Sequence, residues 1–183
     1  MSTPGSRTSR RCRSAEPGIE VRPISQEDLG AVCRDLSDRT EAIHRERLEL
    51  QERDGFLYLI AWSEAHAVGH VFVGWSPRDV VHWIERRTEP WIRDLAVPPE
   101  HRRRGVGRAL MERVEQELLG RGFASLWFDT GISDGYAAAR SLYEGMGYRR
   151  ASGEFVISAR MPTGVESERP WIDIVFQMSK RLS

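Results

Sequence analysis

The chain has 183 residues, of which 40% are hydrophobic and 30% charged, and these values are typical of a soluble globular domain with a sizeable core. Its formal net charge is zero, so no global electric field draws it towards nucleic acid or an anionic membrane. The two cysteines, Cys12 and Cys33, are too few for a tetrahedral metal site, and no apolar run is long enough to cross a bilayer. We therefore expect a cytoplasmic protein without a metal ion, a nucleic-acid partner or a membrane partner.

The first half of the chain predicts a tail followed by the start of a single domain. Residues 1–17 are rich in Ser, Arg, Pro and Gly, so we expect a disordered N-terminal tail and assign 18–183 to one domain. Residues 77–90 fit no regular pattern and are interpreted as a loop on the substrate side. The remaining elements are, in chain order, a strand over 18–22, a helix that begins after Ser25, a highly charged helix over 41–53, and a hairpin with strands over 56–62 and 67–75.

The second half of the chain alternates strands with helices. An apolar run over 91–97 predicts a strand, which ends at Pro98 because proline cannot donate to a sheet ladder. The four-residue repeat from Val106 predicts an amphipathic helix that stops at Gly120. A strand over 124–129, a helix around Tyr143, and strands over 148–161 and 171–178 joined by a loop over 162–170 complete the order. This order predicts a mixed α/β fold, with a curved sheet of about seven strands flanked by helices on both faces.

The segment Arg102–Arg108 is the most informative part of the chain. It reads Arg-Arg-Arg-Gly-Val-Gly-Arg and lies between a predicted strand and the start of a predicted helix. The first backbone N–H groups of a helix have no intrahelical partners, and the helix dipole adds partial positive charge there. Glycines let a ligand approach the backbone closely. The segment therefore predicts a binding site for a phosphate group.

Three phosphate-binding motifs were compared with this segment. The dinucleotide motif G-x-G-x-x-G needs a third glycine where the chain has Leu110, and a P-loop needs a Gly-Lys pair although the chain's lysine is Lys180. The third motif, Q/R-x-x-G-x-G/A, matches Arg102–Gly107 fully. This segment resembles the pyrophosphate loop of the GNAT superfamily of N-acetyltransferases. Residues 94–97, 124–129 and 138–148 resemble that superfamily's fourth strand, fifth strand, and A-x-x-L-Y-x-x-x-G-F/Y helix and exit.

The resemblance implies a fold, a co-substrate and a set of binding residues. The fourth and fifth strands would part into a V-shaped cleft, and acetyl-CoA would bind there. A bulge in the fourth strand would free a backbone N–H at Leu95 or Ala96 to polarise the thioester carbonyl. The implied acetyl-CoA-binding residues are Leu95, Ala96, Val97, Arg102, Arg103, Arg104, Gly105, Val106, Gly107, Arg108, Ala139 and Tyr143.

Tyr143 and Asp94 are the predicted catalytic residues. Tyr143 matches the superfamily's tyrosine that protonates the leaving thiolate, although a tyrosine on an apolar helix face also serves as packing. Asp94 is the predicted general base, and pairing with a neighbouring arginine or backbone amide is its structural alternative. A water chain could also remove the proton, and the rival bases in the chain are Glu85, Glu89, Asp129, His70 and His82.

Two positions depart from the superfamily's pattern. Tyr136 stands where the helix often begins with Asn, which puts that side chain's contact with the co-substrate in question. Arg140 replaces a residue that is commonly aliphatic, and it could form a salt bridge or reach a phosphate on the adenine side.

The predicted function is therefore transfer of an acetyl group from acetyl-CoA to a primary amine by direct attack in a ternary complex. Trp75, Trp83 and Trp91 would suit a cationic or planar small-molecule acceptor such as a polyamine, an antibiotic or an amino-acid derivative. A protein lysine or N-terminal amine is the alternative acceptor, and a non-catalytic acyl-CoA-binding module is the alternative class of protein. A homodimer is left open.

Overall fold

The structure is a computed structural model that describes residues 18–53, 55–75, 89–159 and 171–183. The expected N-terminal tail, the loop over 162–170 and the part of the 77–90 loop before Glu89 lie outside the described residues. Three side chains singled out by the sequence also lie outside them, namely His82, Trp83 and Glu85.

Seven strands form one sheet, as the sequence predicts. Neighbouring strands are antiparallel except for the fourth and fifth, which are parallel. The strands are β1 (Ile19–Pro23), β2 (Phe56–Ser63), β3 (His66–Gly74), β4 (Trp91–Ala96), β5 (Ser125–Gly131), β6 (Arg149–Ala159) and β7 (Trp171–Arg181), and their order across the sheet is β1-β2-β3-β4-β5-β7-β6.

Four α-helices flank the sheet: α1 (Leu29–Asp35), α2 (Glu41–Gln51), α3 (Val106–Gly120) and α4 (Ala137–Gly145). A capping interaction precedes α1, because the Ser25 backbone N–H donates to the Asp28 carboxylate at 2.8 Å. The hydroxyl of Thr40 accepts from the backbone N–H of Ile43 at the start of α2. No helix in the described parts of the chain is both long enough and apolar enough to span a membrane.

Two hydrophobic clusters cover the two faces of the sheet. Alternate residues of a strand point to opposite faces, so Leu57 and Leu59 of β2 join one cluster while Tyr58 and Ile60 join the other. The first cluster includes the apolar stripe of α3 (Val106, Leu110, Met111, Val114 and Leu118) and Tyr143 of α4. The second cluster packs α1 and α2 against the opposite face through Leu29, Val32, Leu36 and Leu48.

The observed element boundaries differ from the predicted ones at two instructive places. Helix α2 ends at Gln51 rather than at residue 53, and the Gln51 side chain ties this end to the sheet by donating to the Ile24 carbonyl and accepting from the Tyr58 N–H. Strand β7 continues three residues beyond the predicted end at Met178, because it pairs with the start of β5 as far as Arg181. In both places the chain contacts segments that are distant in sequence.

Gly69 of β3 sets the distance between the sheet and α3. An added Cβ at this position would lie 2.9 Å from Val106 Cγ1 and 3.1 Å from the Ala96 carbonyl oxygen. We expect Gly69→Ala to lower the free energy of unfolding by about 1–3 kcal/mol through overpacking, measured by urea denaturation.

Gly30→Ala in α1 is the matched control for this substitution. No atom lies within 4 Å of its added Cβ, so the change should leave stability unchanged or raise it by about 0.5–1 kcal/mol. A Gly69→Ala variant as stable as the control would show that α3 is not held at this distance.

Candidate active site

The strands β4 and β5 separate after only two residue pairs. Trp91 pairs with Trp127 and Ile92 with Phe128, and beyond these positions β4 pairs with β3 while β5 pairs with β7. We call the space beyond this point the β4–β5 gap, lined by residues 93–96 of β4 and 129–131 of β5. Helices α3 and α4 follow the same ends of these two strands, so both begin beside the gap. Ligands of parallel sheets typically bind outside the carboxyl ends of the strands at such a position.

A β-bulge lies in β4, as the resemblance implied, and its extra residue is Arg93. Phe72 of β3 faces Asp94 while the next residue, Val73, faces Ile92, so the register of the ladder skips Arg93. The Arg93 guanidinium lies 5.8 Å from the centre of the Phe56 ring. The bulge thus directs Arg93 and Asp94 to the face of the sheet that α1 and α2 cover.

The basic loop before α3 leaves the start of that helix open. Gly105 is the N-cap residue with a φ of 86°, and no side chain caps the first turn. Arg103 has a φ of 63°, which is uncommon for a residue other than glycine and is found mainly in tight loops. The Arg102 side chain donates to the Val97 carbonyl at 2.9 Å, which ties the loop to the end of β4. The first amides of α3 therefore have no side-chain partner in the cap, which is the condition for binding an anion at a helix N-terminus.

The two glycines of this loop serve different purposes. A Cβ added to Gly105 would meet no atom within 4 Å, so this glycine provides the left-handed backbone conformation. A Cβ added to Gly107 would lie 3.1 Å from Leu142 Cδ2, so this glycine allows α3 to pack closely against α4. The sequence motif thus combines a backbone requirement with a packing requirement.

The arginines of the loop are exposed cations. Arg108 approaches Glu112 at 3.6 Å, an exposed pair that contributes little. Within the described residues, Arg103 and Arg104 form no ion pair. Both charges remain available to an anion at the start of α3.

Tyr143 of α4 lies in the core beside β5. It is 7% exposed, and its ring centre is 4.4 Å from that of Phe128. Burial, together with the negative charge of Asp94, raises the pKa of Tyr143 to about 12. The phenol is therefore protonated at neutral pH, and no described residue forms a hydrogen bond with its hydroxyl.

Asp94 is held by two arginines that the sequence did not point to. Arg39 donates to both carboxylate oxygens at 2.9 Å, and Arg47 of α2 donates to Oδ2 at 2.6 Å. Burial alone would raise the pKa of Asp94, but the positive charges of His70, Arg47 and Arg39 outweigh it and hold the pKa below its usual value. The sequence suggested that Asp94 could pair with a neighbouring arginine, but both arginines that bind it lie about 50 residues earlier in the chain.

Two side chains have surroundings that differ from the sequence expectations. Arg140 forms no salt bridge with the described residues; it donates to the carbonyls of Gly131 and Ser133 at 2.7 and 2.9 Å. The Trp75 ring packs against Phe123 and against the guanidinium of Arg121, at the far end of α3 from the gap. Trp75 therefore does not belong to an aromatic acceptor site.

Tyr136 fixes the start of α4 to the sheet. Its hydroxyl forms a hydrogen bond with Asp173 of β7, and its ring occupies the space that a Cβ on Gly131 would need. Burial and the Asp173 carboxylate raise the pKa of Tyr136. This side chain is used for packing.

The remaining predicted residues lie in varied surroundings. Ala139 of α4 is half-buried against the first hydrophobic cluster, and Glu89 is exposed just before β4. Asp129 lies on β5 opposite Gln177 of β7. His70 is completely buried on β3, with Nε2 at 3.2 Å from Asp38 Oδ2.

Sequence reasoning missed most of the polar network around Asp94. Besides Arg39 and Arg47, it contains a fully buried His44 whose Nδ1 lies 2.6 Å from the Tyr58 hydroxyl. The Nε2 of His44 lies 3.0 Å from the Leu36 carbonyl. His44 and Leu48 are four residues apart, so they lie on the same face of the otherwise charged helix α2. This spacing is the signal that could have indicated the burial of His44.

A model of the acetyltransferase (GNAT) family matches residues 20–148. The matched region contains the split strands, the basic loop, α3 and α4. The chain therefore belongs to the GNAT acetyltransferase family, whose members use acetyl-CoA.

Two curated relatives resemble parts of the chain. The [ribosomal protein bS18]-alanine N-acetyltransferase of Escherichia coli K12 is 42% identical over 64 residues, which are 35% of this chain and 42% of the relative. Human N-acetyltransferase 8 is 32% identical over 124 residues, which are 68% of this chain and 49% of the relative. The aligned region thus spans less than half of the length of either relative.

Solved structures share the fold. The ribosomal-protein-S18-alanine N-acetyltransferase of Escherichia coli superposes with a TM-score of 0.63 at 22% identity, over 91% of this chain and 95% of that one. An N-acetyltransferase from Staphylococcus aureus Mu50 gives 0.68 at 16% identity, over 91% and 99%. A chain of the NatC complex bound to Gag peptide and CoA gives 0.59 at 17% identity, over 90% and 99%.

Removal of the Asp94 carboxylate should destabilise the domain. Asp94→Asn leaves Arg47 without its anion and Arg39 with Asp38 alone, and breaking a largely buried pair costs about 3–5 kcal/mol. We expect a loss of that size in urea denaturation at pH 7. Because the folded-state pKa of Asp94 is lowered, its contribution is present above the ordinary carboxyl pKa of about 3.9 and is lost as the pH falls below it. The difference between wild type and variant should therefore shrink in acid.

Glu41→Gln provides the control for this prediction. Glu41 pairs with Arg45 at 2.6 Å on the exposed surface of α2, so its loss should cost less than about 0.5 kcal/mol. An equally small cost for Asp94→Asn would contradict the structural importance of the Asp94 pairs.

Proposed function

We propose that the chain transfers an acetyl group from acetyl-CoA to a primary amine by direct attack in a ternary complex. The separation of β4 from β5 beside the open N-terminus of α3 carries this proposal. It provides a slot for the acyl arm and an anion site for the pyrophosphate within one short stretch of chain.

The residues of the site fit a CoA-type donor. No side chain caps the start of α3, so the backbone amides over 103–108 can bind an anion. The positive charges of Arg103 and Arg104 would strengthen the attraction for that anion. The edge of β4 over 95–97 is not paired with β5, so its backbone can bind the amide groups of the pantetheine arm. A backbone N–H at Leu95 or Ala96 would polarise the thioester carbonyl.

Tyr143 would stabilise the departing sulfur. Its phenol stays protonated because burial raises its pKa to about 12, and its hydroxyl has no competing partner among the described residues. A thiol has a pKa of about 8.5, so complete proton transfer from this phenol is uphill. Tyr143 would therefore act chiefly as a hydrogen-bond donor to the developing thiolate.

Asp94 would act by its charge more than as a base. Two arginines stabilise its anionic form and keep its pKa low, so it has little tendency to accept a proton from an ammonium ion. Its role as the general base remains a prediction, and its lowered pKa favours an electrostatic role beside the gap.

The acceptor that fits best is the N-terminal amine of a peptide. Arg39 and Arg47 at Asp94 leave little uncompensated negative charge for a polyamine. The bacterial relative is named for acetylation of a ribosomal-protein alanine. A small-molecule amine is the second candidate, since the family fold alone does not select the acceptor.

One experiment separates these possibilities. Thiol release from acetyl-CoA is measured with a panel of peptides with different N-terminal residues, a lysine-containing peptide blocked at its N-terminus, polyamines and amino-acid amides. We expect turnover with at least one free N-terminal peptide that exceeds turnover with polyamines. Tight binding of acetyl-CoA with no acceptor-dependent thiol release would instead identify a non-catalytic acyl-CoA-binding module.

Tyr143→Phe should lower kcat by about 100-fold, because it removes the donor to the sulfur. The affinity for acetyl-CoA, measured by calorimetry, should change little. Tyr148→Phe is the matched control: that hydroxyl donates to Glu115 at 2.8 Å, away from the gap, so its loss should cost about 1 kcal/mol of stability and leave kcat unchanged. Equal kcat values for the two variants would argue against the role of Tyr143.

Gly105→Ala should weaken acetyl-CoA binding by about 10-fold or more, because a left-handed backbone costs an L-residue about 1–2 kcal/mol and the loop would shift away from it. Gly122 at the other end of α3 has a φ of 84° against 86° for Gly105, and both have open space around an added Cβ. Gly122→Ala should therefore cost similar stability and leave binding intact. Equal affinities for the two variants would exclude a pyrophosphate site at Gly105.

A further inference from the structure

His70, which is buried on β3, pairs with the carboxylate of Asp38, whose side chain is partly exposed. His70 is 0% exposed, and its Nε2 lies 3.2 Å from Asp38 Oδ2. Its other ring nitrogen, Nδ1, is buried and has no hydrogen-bond partner among the described residues. When Nε2 carries the proton that bonds the carboxylate, Nδ1 keeps a lone pair that can accept another proton. A carboxylate also orients the base histidine in catalytic triads, with the roles of the two ring nitrogens exchanged relative to His70.

The pair is connected to the end of β4. His70 faces Ala96 in the β3–β4 register, where β4 lines the gap. Asp38 contacts Arg39 at 3.2 Å, and Arg39 holds Asp94. The positive charge of His70 is one of the influences that lower the pKa of Asp94, although burial of the carboxyl opposes it. His70 and Asp94 therefore belong to one electrostatic network.

A second buried atom of this network also lacks a partner. Arg47 Nη2 donates to Asp94, whereas Arg47 Nη1 is buried and has no hydrogen-bond partner in the described parts of the chain. Arg47 Nη1 is a donor and His70 Nδ1 is an acceptor, so the two atoms are complementary to a molecule that can both accept and donate. Water has this property, and buried polar groups of this kind commonly bind it.

We propose that His70, oriented by Asp38, accepts the proton that the acceptor ammonium loses, through a water molecule bound by Arg47. The proposal rests on the proposed acetyl transfer. The ammonium gives one proton to His70, which becomes an imidazolium paired with Asp38. The free amine then forms the C–N bond as the C–S bond breaks, the second proton leaves the nitrogen for the thiolate, and His70 returns its proton to solvent.

The other titratable groups packed around His70 do not change their charge near pH 7. Burial lowers the pKa of His44 and raises that of Tyr58, so both stay neutral near pH 7. Burial alone would raise the pKa of Asp38. The hydrogen bond with His70 and the positive charges of His70 and Arg39 outweigh burial and lower this pKa, so the carboxylate stays charged near pH 7. The charged and titratable neighbours of His70 are Asp38 and Arg39 between α1 and α2, His44 and Arg47 of α2, Tyr58 of β2 and Asp94 of β4.

The test is the pH profile of kcat between pH 5 and 9, measured by thiol release with the best peptide acceptor. In the wild type, kcat should fall on the acidic side as the imidazole becomes protonated. His70→Gln should lower kcat by about 100-fold or more and abolish this acidic limb, with unchanged acetyl-CoA affinity. Asp38→Asn should lower kcat by about 10-fold and move the limb to lower pH, because the imidazolium loses its counter-charge.

His66→Gln is the matched control. His66 is also on β3 and also approaches a carboxylate, Asp35, at 3.4 Å, but its side chain is 68% exposed. This variant should keep the wild-type rate and profile. If His70→Gln does not fold, Asp38→Asn decides the question, and an unshifted limb overturns the proposal.

The remaining outcomes separate this inference from the proposed function. An active His70→Gln variant that keeps the acidic limb would overturn the inference alone, because acetyl transfer would persist. A wild type that binds acetyl-CoA without turnover would overturn both.

Discussion

Strands β4 and β5 are parallel neighbours that pair at Trp91–Trp127 and Ile92–Phe128 and then diverge. A paired edge would have its backbone groups used in the sheet ladder, whereas the diverging edge of β4 keeps groups free for a ligand. Because each of these strands is followed by a helix at this end, the N-termini of α3 and α4 both lie beside the gap. The proposed site for the acetyl donor therefore depends first on how the two strands separate and then on the side chains around them.

The two faces of the sheet supply different electrostatics to this gap. On one face, the uncapped start of α3 and the exposed loop arginines attract an anion. On the other face, Arg39 and Arg47 surround Asp94, and the His70–Asp38 pair lies beside them. The charge of Asp94 reaches across the gap, since it adds to the effect of burial in raising the pKa of Tyr143. One carboxylate thus influences both faces.

Features that the sequence predicted well are those encoded in contiguous stretches. The hydrophobic period and the turn residues of segment 91–120 predict its strand, basic loop and helix without information from the rest of the chain. The contacts of individual side chains were harder to predict. Arg140 bonds to carbonyls of the preceding turn and Trp75 stacks on Arg121, because each satisfies the nearest strong partner in the folded chain. Neither partner can be chosen from residue type alone.

The sequence by itself determined the fold class and the family to which its motifs point, and it predicted the anion site at Gly105, because these depend on period, spacing and backbone conformation within a few turns of chain. Only the tertiary structure decided the surroundings of Asp94 and His70. Arg39 is 55 residues from Asp94 and Asp38 is 32 residues from His70, and nothing in local sequence encodes such a pairing. The packing of α1 and α2 on the sheet brings these charges together, and burial then makes their interactions strong.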